Sequence, residues 1–311
     1  DGFLPALRFH IGHEYDEHRR AALVCEFDEL RAANDGFVPL DEVFRLQFKE
    51  KFRGEDPGFF EEIQHDDLET FIERMRLSRE ECDPFTYLEA EFEEASESIR
   101  QRECIPWKER LYLLSIALNG PARFLSGEDY LRLRHHLMPL IAVIIAAVPQ
   151  GPARELLALH RAGCLDVHQV SLDSRVEPRE PRGARYWNDG ESTDYEAYVD
   201  CVGQQPLRFE DFPFPALREA GMISPARVKF RDAQAAPEDD PAVVREGGAA
   251  FLTLPGIAID PDFAALDQNG DAVPGLYLLA QPLVAGFQPS FSGLGFCHLA
   301  ANKAVARLMQ Q

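Results

Sequence analysis

The sequence predicts an α/β protein, α+β within the stretch seen here: a helical N-terminal block over residues 1–163, then a mixed α/β block over 164–311. Three observations predict it. Apolar residues recur at helical spacing through the first half, with Pro and Gly as start and stop signals. From Cys164 onward the apolar period falls to two, as in strands. The chain then closes on an apolar segment, a loop rich in Gly, Pro and Ser, and an apolar helix. Segregated helices and strands point to pieces of a larger α/β architecture.

The elements follow in order. Residues 14–34 place Ala22, Leu23, Phe27 and Leu30 on one stripe and stop at Gly36. Residues 40–53 set Val43, Phe44, Leu46 and Phe48 among charges, and 66–77 align Leu68, Phe71, Ile72 and Met75. Pro84 opens a helix with Phe85, Leu88, Phe92 and Ile99 inward and a Glu-rich solvated face outward. Pro106 begins the next at a favourable first-turn position, and Asn119-Gly120-Pro121 ends it. Ser126 caps one long segment running through Val148, and residues 152–162 form a last helix closed by Gly163.

Beyond Gly163, residues 165–170 and 195–202 alternate and are predicted strands. Residues 178–190 read as a loop or hairpin, 214–220 as a short helix, and 231–248 as an acidic, mobile loop. Asn269-Gly270 marks a hairpin turn rather than a calcium loop, because no bidentate Glu follows at the required distance. Residues 276–280 read as a buried strand and 294–309 as the terminal helix.

Composition narrows the function. With 53 acidic against 32 basic residues, the net charge of −21 repels nucleic acid and anionic membrane alike. The most apolar run, 137–148, is too short to span a bilayer and contains Pro139. The six cysteines are irregularly spaced, with no Cys-x-x-Cys pair, and read as reduced thiols of a cytoplasmic protein. The expected partner is a small-molecule substrate. No metal site is expected: His10, His13 and His18 lack the His-Glu-x-x-His spacing and suit surface or capping roles, while His135, His136 and His298 suit helix packing. Ser290 and Ser292 stand outside any Gly-x-Ser-x-Gly elbow. The chain starts at Asp1 with residues already suited to a fold interior, so a longer parent protein is expected.

The C-terminal corner carries the functional signal. Gly275-Leu276-Tyr277-Leu278-Leu279-Ala280-Gln281 leads through a small-residue loop to Ser292-Gly293-Leu294-Gly295-Phe296 and the final helix. A bare helix N-terminus binds anions and polarised carbonyls through free N–H groups and the helix dipole. Glycines there let a ligand approach the backbone. An ordinary strand-turn-helix corner would use the same residues for packing alone. Upstream, Tyr198-Val199-Asp200-Cys201-Val202-Gly203 reads as a strand ending at a sharp turn, the position beyond which ligands lie in nucleotide-binding folds.

Taken in order, the helix and strand at 156–167, the 199–203 segment, the 216–223 helix, Gly256-Ile257-Ala258-Ile259-Asp260, the 270–280 segment and the Gly293 helix resemble the C-terminal part of a Rossmann-type FAD-binding domain. The family is that of bacterial FAD–NAD(P)-binding flavoproteins of the two-dinucleotide type. Asp1-Gly2-Phe3-Leu4-Pro5 also resembles a stretch of that family, while residues 14–118 match only as a helical insertion. No Gly-x-Gly-x-x-Gly follows a strand, so the pyrophosphate-binding first unit is expected upstream or lost. Ala280-Gln281 stands where relatives carry Gly-Asp.

The resemblance implies an FAD-dependent oxidoreductase, or a C-terminal portion of one, that takes electrons from NAD(P)H. It implies that amides near Ser292, Gly293, Leu294, Gly295 and Phe296 face the flavin pyrimidine edge. Gln281 would approach the ribityl chain, and Gly203 would make room near the adenosine half. The rival reading is non-enzymatic: the acidic helical block as an interaction or scaffold module on a degenerate flavoprotein fold.

Overall fold

The structure is a computed structural model that describes residues 27–80, 82–145, 148–168, 170–171, 173–201, 203, 205–290 and 293–310. The expectations for Asp1–Pro5, the helix over 14–26, His10, His13, His18, Cys25 and Ser292 lie outside those residues. Within them the chain is mixed α/β, with helices first and small antiparallel sheets after.

A helical stretch over 27–33 is followed by α1 (Leu40–Gln47), α2 (Phe52–Glu55), α3 (Pro57–Ile63), α4 (Leu68–Glu80), α5 (Pro84–Gln101) and α6 (Pro106–Leu118). Their starts are chemically explicit. Pro57, Pro84 and Pro106 occupy first-turn positions where a missing N–H costs nothing. The Asp56 carboxylate accepts from Phe59 N at 3.1 Å, and Asp83 from Thr86 N at 2.8 Å. Most of the phenylalanines read as inward are core, Phe92 being half-buried outside it: Phe48 sits between Phe44, Phe52 and Phe71, with ring centroids 5.3, 5.1 and 4.9 Å away.

The long helix predicted after Ser126 is instead three pieces: α7 (Gly127–Arg132), a π turn (Leu133–Leu137) and α8 (Met138–Ile145). Pro139 explains the break. It cannot donate to the carbonyl one turn back, so the backbone shifts to wider spacing just before it. α9 (Gln150–Arg161) packs on α5, with the His160 ring stacked on Phe85 at 3.5 Å, and ends at Gly163 with φ +69°.

The strand readings at 165–170 and 195–202 are corrected. The described residues of both segments are irregular, apart from Tyr195, which ends a strand. Alternation makes a strand only where a neighbour supplies hydrogen bonds, and here Val170 and Val199 are 69% and 76% exposed. The strands lie between and beyond them. β1 (Arg175–Pro178), β2 (Ala184–Asn188) and β3 (Glu191–Tyr195) form an antiparallel meander around the predicted hairpin. A short helix, α10 (Pro215–Glu219), follows as expected.

A second sheet has the order β4 (Pro225–Lys229), β6 (Ala249–Ile257), β5 (Val243–Glu246). β5 falls inside the segment read as a mobile loop; its residues pair with β6 at Val243↔Leu252 and Val244↔Phe251. The inward residues Ala226, Val228, Ala250, Leu252 and Leu254 are buried. β7 (Ala264–Leu266) and β8 (Ala272–Tyr277) make the expected hairpin. In its turn Asp267 Oδ1 accepts from Asn269 N at 2.8 Å and from Asp271 N at 3.0 Å. β8 starts earlier than predicted and is half exposed; among the apolar residues that follow it, Leu278 is the buried one. α11 (Gln281–Val284) and α12 (Gly293–Leu308) complete the described chain.

One hydrophobic core runs through both blocks, from Phe44 and Phe71 through Leu114, Tyr130 and Leu137 to Val228, Leu252, Val284 and Phe296. A charge cluster sits over it. Arg132 pairs with Asp41 at 2.6 Å, Glu69 at 2.7 Å and Asp129 at 3.1 Å, tying α1, α4 and α7 together. The hydrogen bond from Arg132 outweighs burial and holds the Glu69 carboxyl below its ordinary value of 4.5. A carboxyl whose folded value is depressed contributes stability above its unfolded value and loses it as pH falls through the folded one. The urea midpoint is therefore expected to fall between neutral pH and about pH 3.5, and Glu69→Gln is expected to flatten that fall. An unchanged slope in the variant would remove Glu69 from the account.

Candidate functional site

The predicted site is the corner from β8 through α11 to the start of α12. Its placement begins in β6. Gly256 has φ +89°, and a Cβ there would stand 2.1 Å from Leu283 O. Gly286 N donates to Pro255 O at 3.0 Å, and a Cβ on Gly286 would stand 2.6 Å from the same oxygen. Two glycines thus let α11 and its following turn lie directly on the β6 backbone.

The helical block holds the other side. The buried Tyr130 hydroxyl donates to Gly286 O at 2.8 Å, and burial pushes its pKa upward. Ser290 N donates to Asn119 Oδ1 at 3.0 Å, and the Ser290 hydroxyl donates to Ser115 O. The loop before α12 is accordingly fixed by α6 and α7 from one side and by β6 from the other. Reading the sequence alone passed over Ser115 and Tyr130 and took Asn119 only as part of a helix stop. Their available signal was polarity at the inward face of apolar helices, where a buried polar group needs a partner.

The expected site residues fall into three groups. Gly295 lies in the first turn of α12, exposed, with no atom of another described residue outside its own helix turn within 4 Å of where a Cβ would be. Gly293 opens that helix and Leu294 follows it. Phe296, one residue further, is 1% exposed and packs edge-on against Phe263 at 5.7 Å, so its ring belongs to the core. Gln281 is the first residue of α11, half buried, and its amide makes no hydrogen bond among the described residues. Gly203 is exposed, has φ +80°, and would meet nothing if given a Cβ. Four residues on, Leu207 N donates to Pro282 O at 2.9 Å, which ties residue 207, rather than Gly203 itself, to the start of α11.

Other candidates are structural. His298 accepts or shares a proton with Asn302 at 3.0 Å on the exposed side of α12. Among the described residues no three His, Cys, Asp or Glu side chains are grouped to hold a metal ion, and Cys82, Cys104, Cys164, Cys201 and Cys297 are not joined in disulfides. Among them, too, no helix is long and apolar enough to cross a membrane.

The fold and its corner thus define a mixed α/β chain whose helical part is a recognisable unit: residues 25–145 match the family model described as YdhS-like middle domain. The chain is also similar to the protein named Uncharacterized protein YdhS of Escherichia coli (strain K12), at 28% identity over 220 residues. That match covers 70% of this chain and 40% of the relative, so the chain spans well under half of the relative's length. No solved structure matches.

Proposed function

We propose that the chain is the C-terminal part of an FAD-dependent oxidoreductase of the FAD/NAD(P)-binding type, working in the cytoplasm and passing electrons from NAD(P)H to a small-molecule substrate. The observation that supports it is the open backbone at Gly295, in the first turn of a helix whose approach is fixed from two sides. Free N–H groups there, with the helix dipole, suit an electron-rich ring edge. The Gln281 amide, unengaged among the described residues, can donate to a ribityl hydroxyl, and Gly203, at φ +80° with no other described residue within 4 Å of a Cβ, leaves room for a ligand on its own segment. FAD would supply the hydride chemistry; these residues would bind, orient and shield it.

Gly295→Leu separates cofactor contact from folding. The added side chain enters open space, and leucine is a good helix former, so the melting temperature is expected to hold. Flavin uptake, followed by quenching of added FAD, is expected in the wild-type protein and lost in the variant. Absence of uptake both by this chain and by a full-length protein containing it would end the proposal. The scaffold reading, with the acidic helical block as the interaction module, would then stand.

A further inference from the structure

A cleft of 510 Å³ lies away from that corner, between the helical block and the β4–β6 sheet. Residues 36–37 and 123–125 form one wall, and β4 with the 266–270 turn forms the other. Strand alternation explains its chemistry. Ala226 and Val228 face the core, so Arg227 and Lys229 share the opposite face of β4, and Phe251 pairs with Lys229 across the sheet. Arg123 comes from the helical side, donating to Ile259 O at 2.8 Å and keeping further N–H groups to offer. Three cations therefore line one cleft of a chain whose net charge is −21.

The carboxylates in reach already have partners, one of them inside the cleft. Glu246 pairs with Arg227 at 3.0 Å, and Asp267 is taken up by the amides of its own turn. Asp260 and Asp262, the acids that bear on Arg123, pair with Arg307. Lys229 has no ion pair or hydrogen bond among the described residues, and Arg227 Nε is buried without an acceptor. Gln268 and Asn269 offer amides at the rim, while Phe124, Leu125 and Phe251 supply apolar surface.

We infer that this cleft binds a small organic phosphate, its dianionic head between Arg123, Arg227 and Lys229 and its apolar body against Phe251 and Phe124. Arg123 and Lys229, neither in an ion pair among the described residues, supply the charge that meets a dianion, while Arg227 keeps Glu246 and adds N–H donors; the volume suits a ligand of modest size. The site is independent of flavin: it shares no residue with the α11–α12 corner.

Calorimetric titration of the whole chain with phenyl phosphate tests it. Binding is expected, weakening with salt, as an interaction between charges does. Lys229→Gln, an exposed change that leaves the fold intact, is expected to weaken it about tenfold, and addition of Arg227→Gln to abolish it. Benzyl alcohol is expected not to bind, and inorganic phosphate to bind about tenfold more weakly than phenyl phosphate. No binding of phenyl phosphate, equal affinity in wild type and the double variant, or equal affinity for phenyl and inorganic phosphate would overturn the assignment. None of these outcomes depends on whether the protein takes up FAD.

Discussion

Asp129→Ala is expected to lower the free energy of unfolding by about 3 kcal/mol. Asp129 is 4% exposed and joins three separate parts of the chain. One oxygen accepts from Arg231 Nη2 at 2.8 Å and from Leu40 N at 3.3 Å, and the other from Arg132 Nη1 at 3.1 Å. Alanine leaves the amide that opens α1 without its acceptor and removes the charge facing two guanidinium groups. Arg132 keeps Asp41 and Glu69, which limits the loss; Arg231 and the Leu40 amide keep nothing comparable. Arg231 lies just past β4, so the loss reaches from the helical block to the second sheet. Asp41→Ala is the control: Asp41 meets the same Arg132 but is 59% exposed, and about 0–1 kcal/mol is expected. Urea unfolding of the two variants side by side checks both numbers, and equal losses would show that burial of the carboxylate does not set the cost.

The first half of the fold was readable because its signals are local. The first-turn prolines at 84 and 106 and the Ser cap at 126 act within four residues and need no distant partner, although the equally local Asp56 and Asp83 caps and the helix at 57–63 went unread. The strands were harder because each depends on what lies beside it. Residues 165–170 alternate well yet form no ladder, whereas β6, interrupted by Pro255 and Gly256, is the centre of a sheet. Pro255 and Gly256 weaken a strand by propensity, but the same glycine is what lets α11 lie against it. β4 was passed over for a related reason: in Pro225-Ala226-Arg227-Val228-Lys229 only Val228 is a large apolar residue, and the strand's charged face lines a cleft that no local pattern announces. At the candidate corner, glycine spacing located the helix start, but it could not show that Phe296 points to the core or that Tyr130 anchors the turn.

Gly256→Ala is expected to cost roughly 2–5 kcal/mol, from two separate terms. A side chain at φ +89° carries strain of roughly 1–2 kcal/mol. The new Cβ also meets backbone: Leu283 O at 2.1 Å and Leu283 C at 2.5 Å. A rotamer change cannot relieve that, so β6 and α11 must part, adding about 1–3 kcal/mol. Gly270→Ala isolates the first term, because Gly270 has φ +84° and no heavy atom within 4 Å of the new Cβ. It is expected to cost about 1–2 kcal/mol. Parting β6 from α11 also displaces Gln281 and strains the Tyr130 hydrogen bond to Gly286, so Gly256→Ala is expected to disturb the corner that Gly295→Leu leaves folded. Three variants then separate three causes: strain alone at 270, strain with backbone contact at 256, and blocked access at 295. Equal unfolding midpoints for the 256 and 270 variants would mean that the β6–α11 contact contributes nothing to stability. The corner would then have to be held by α6 and α7 alone, through Asn119, Ser115 and Tyr130.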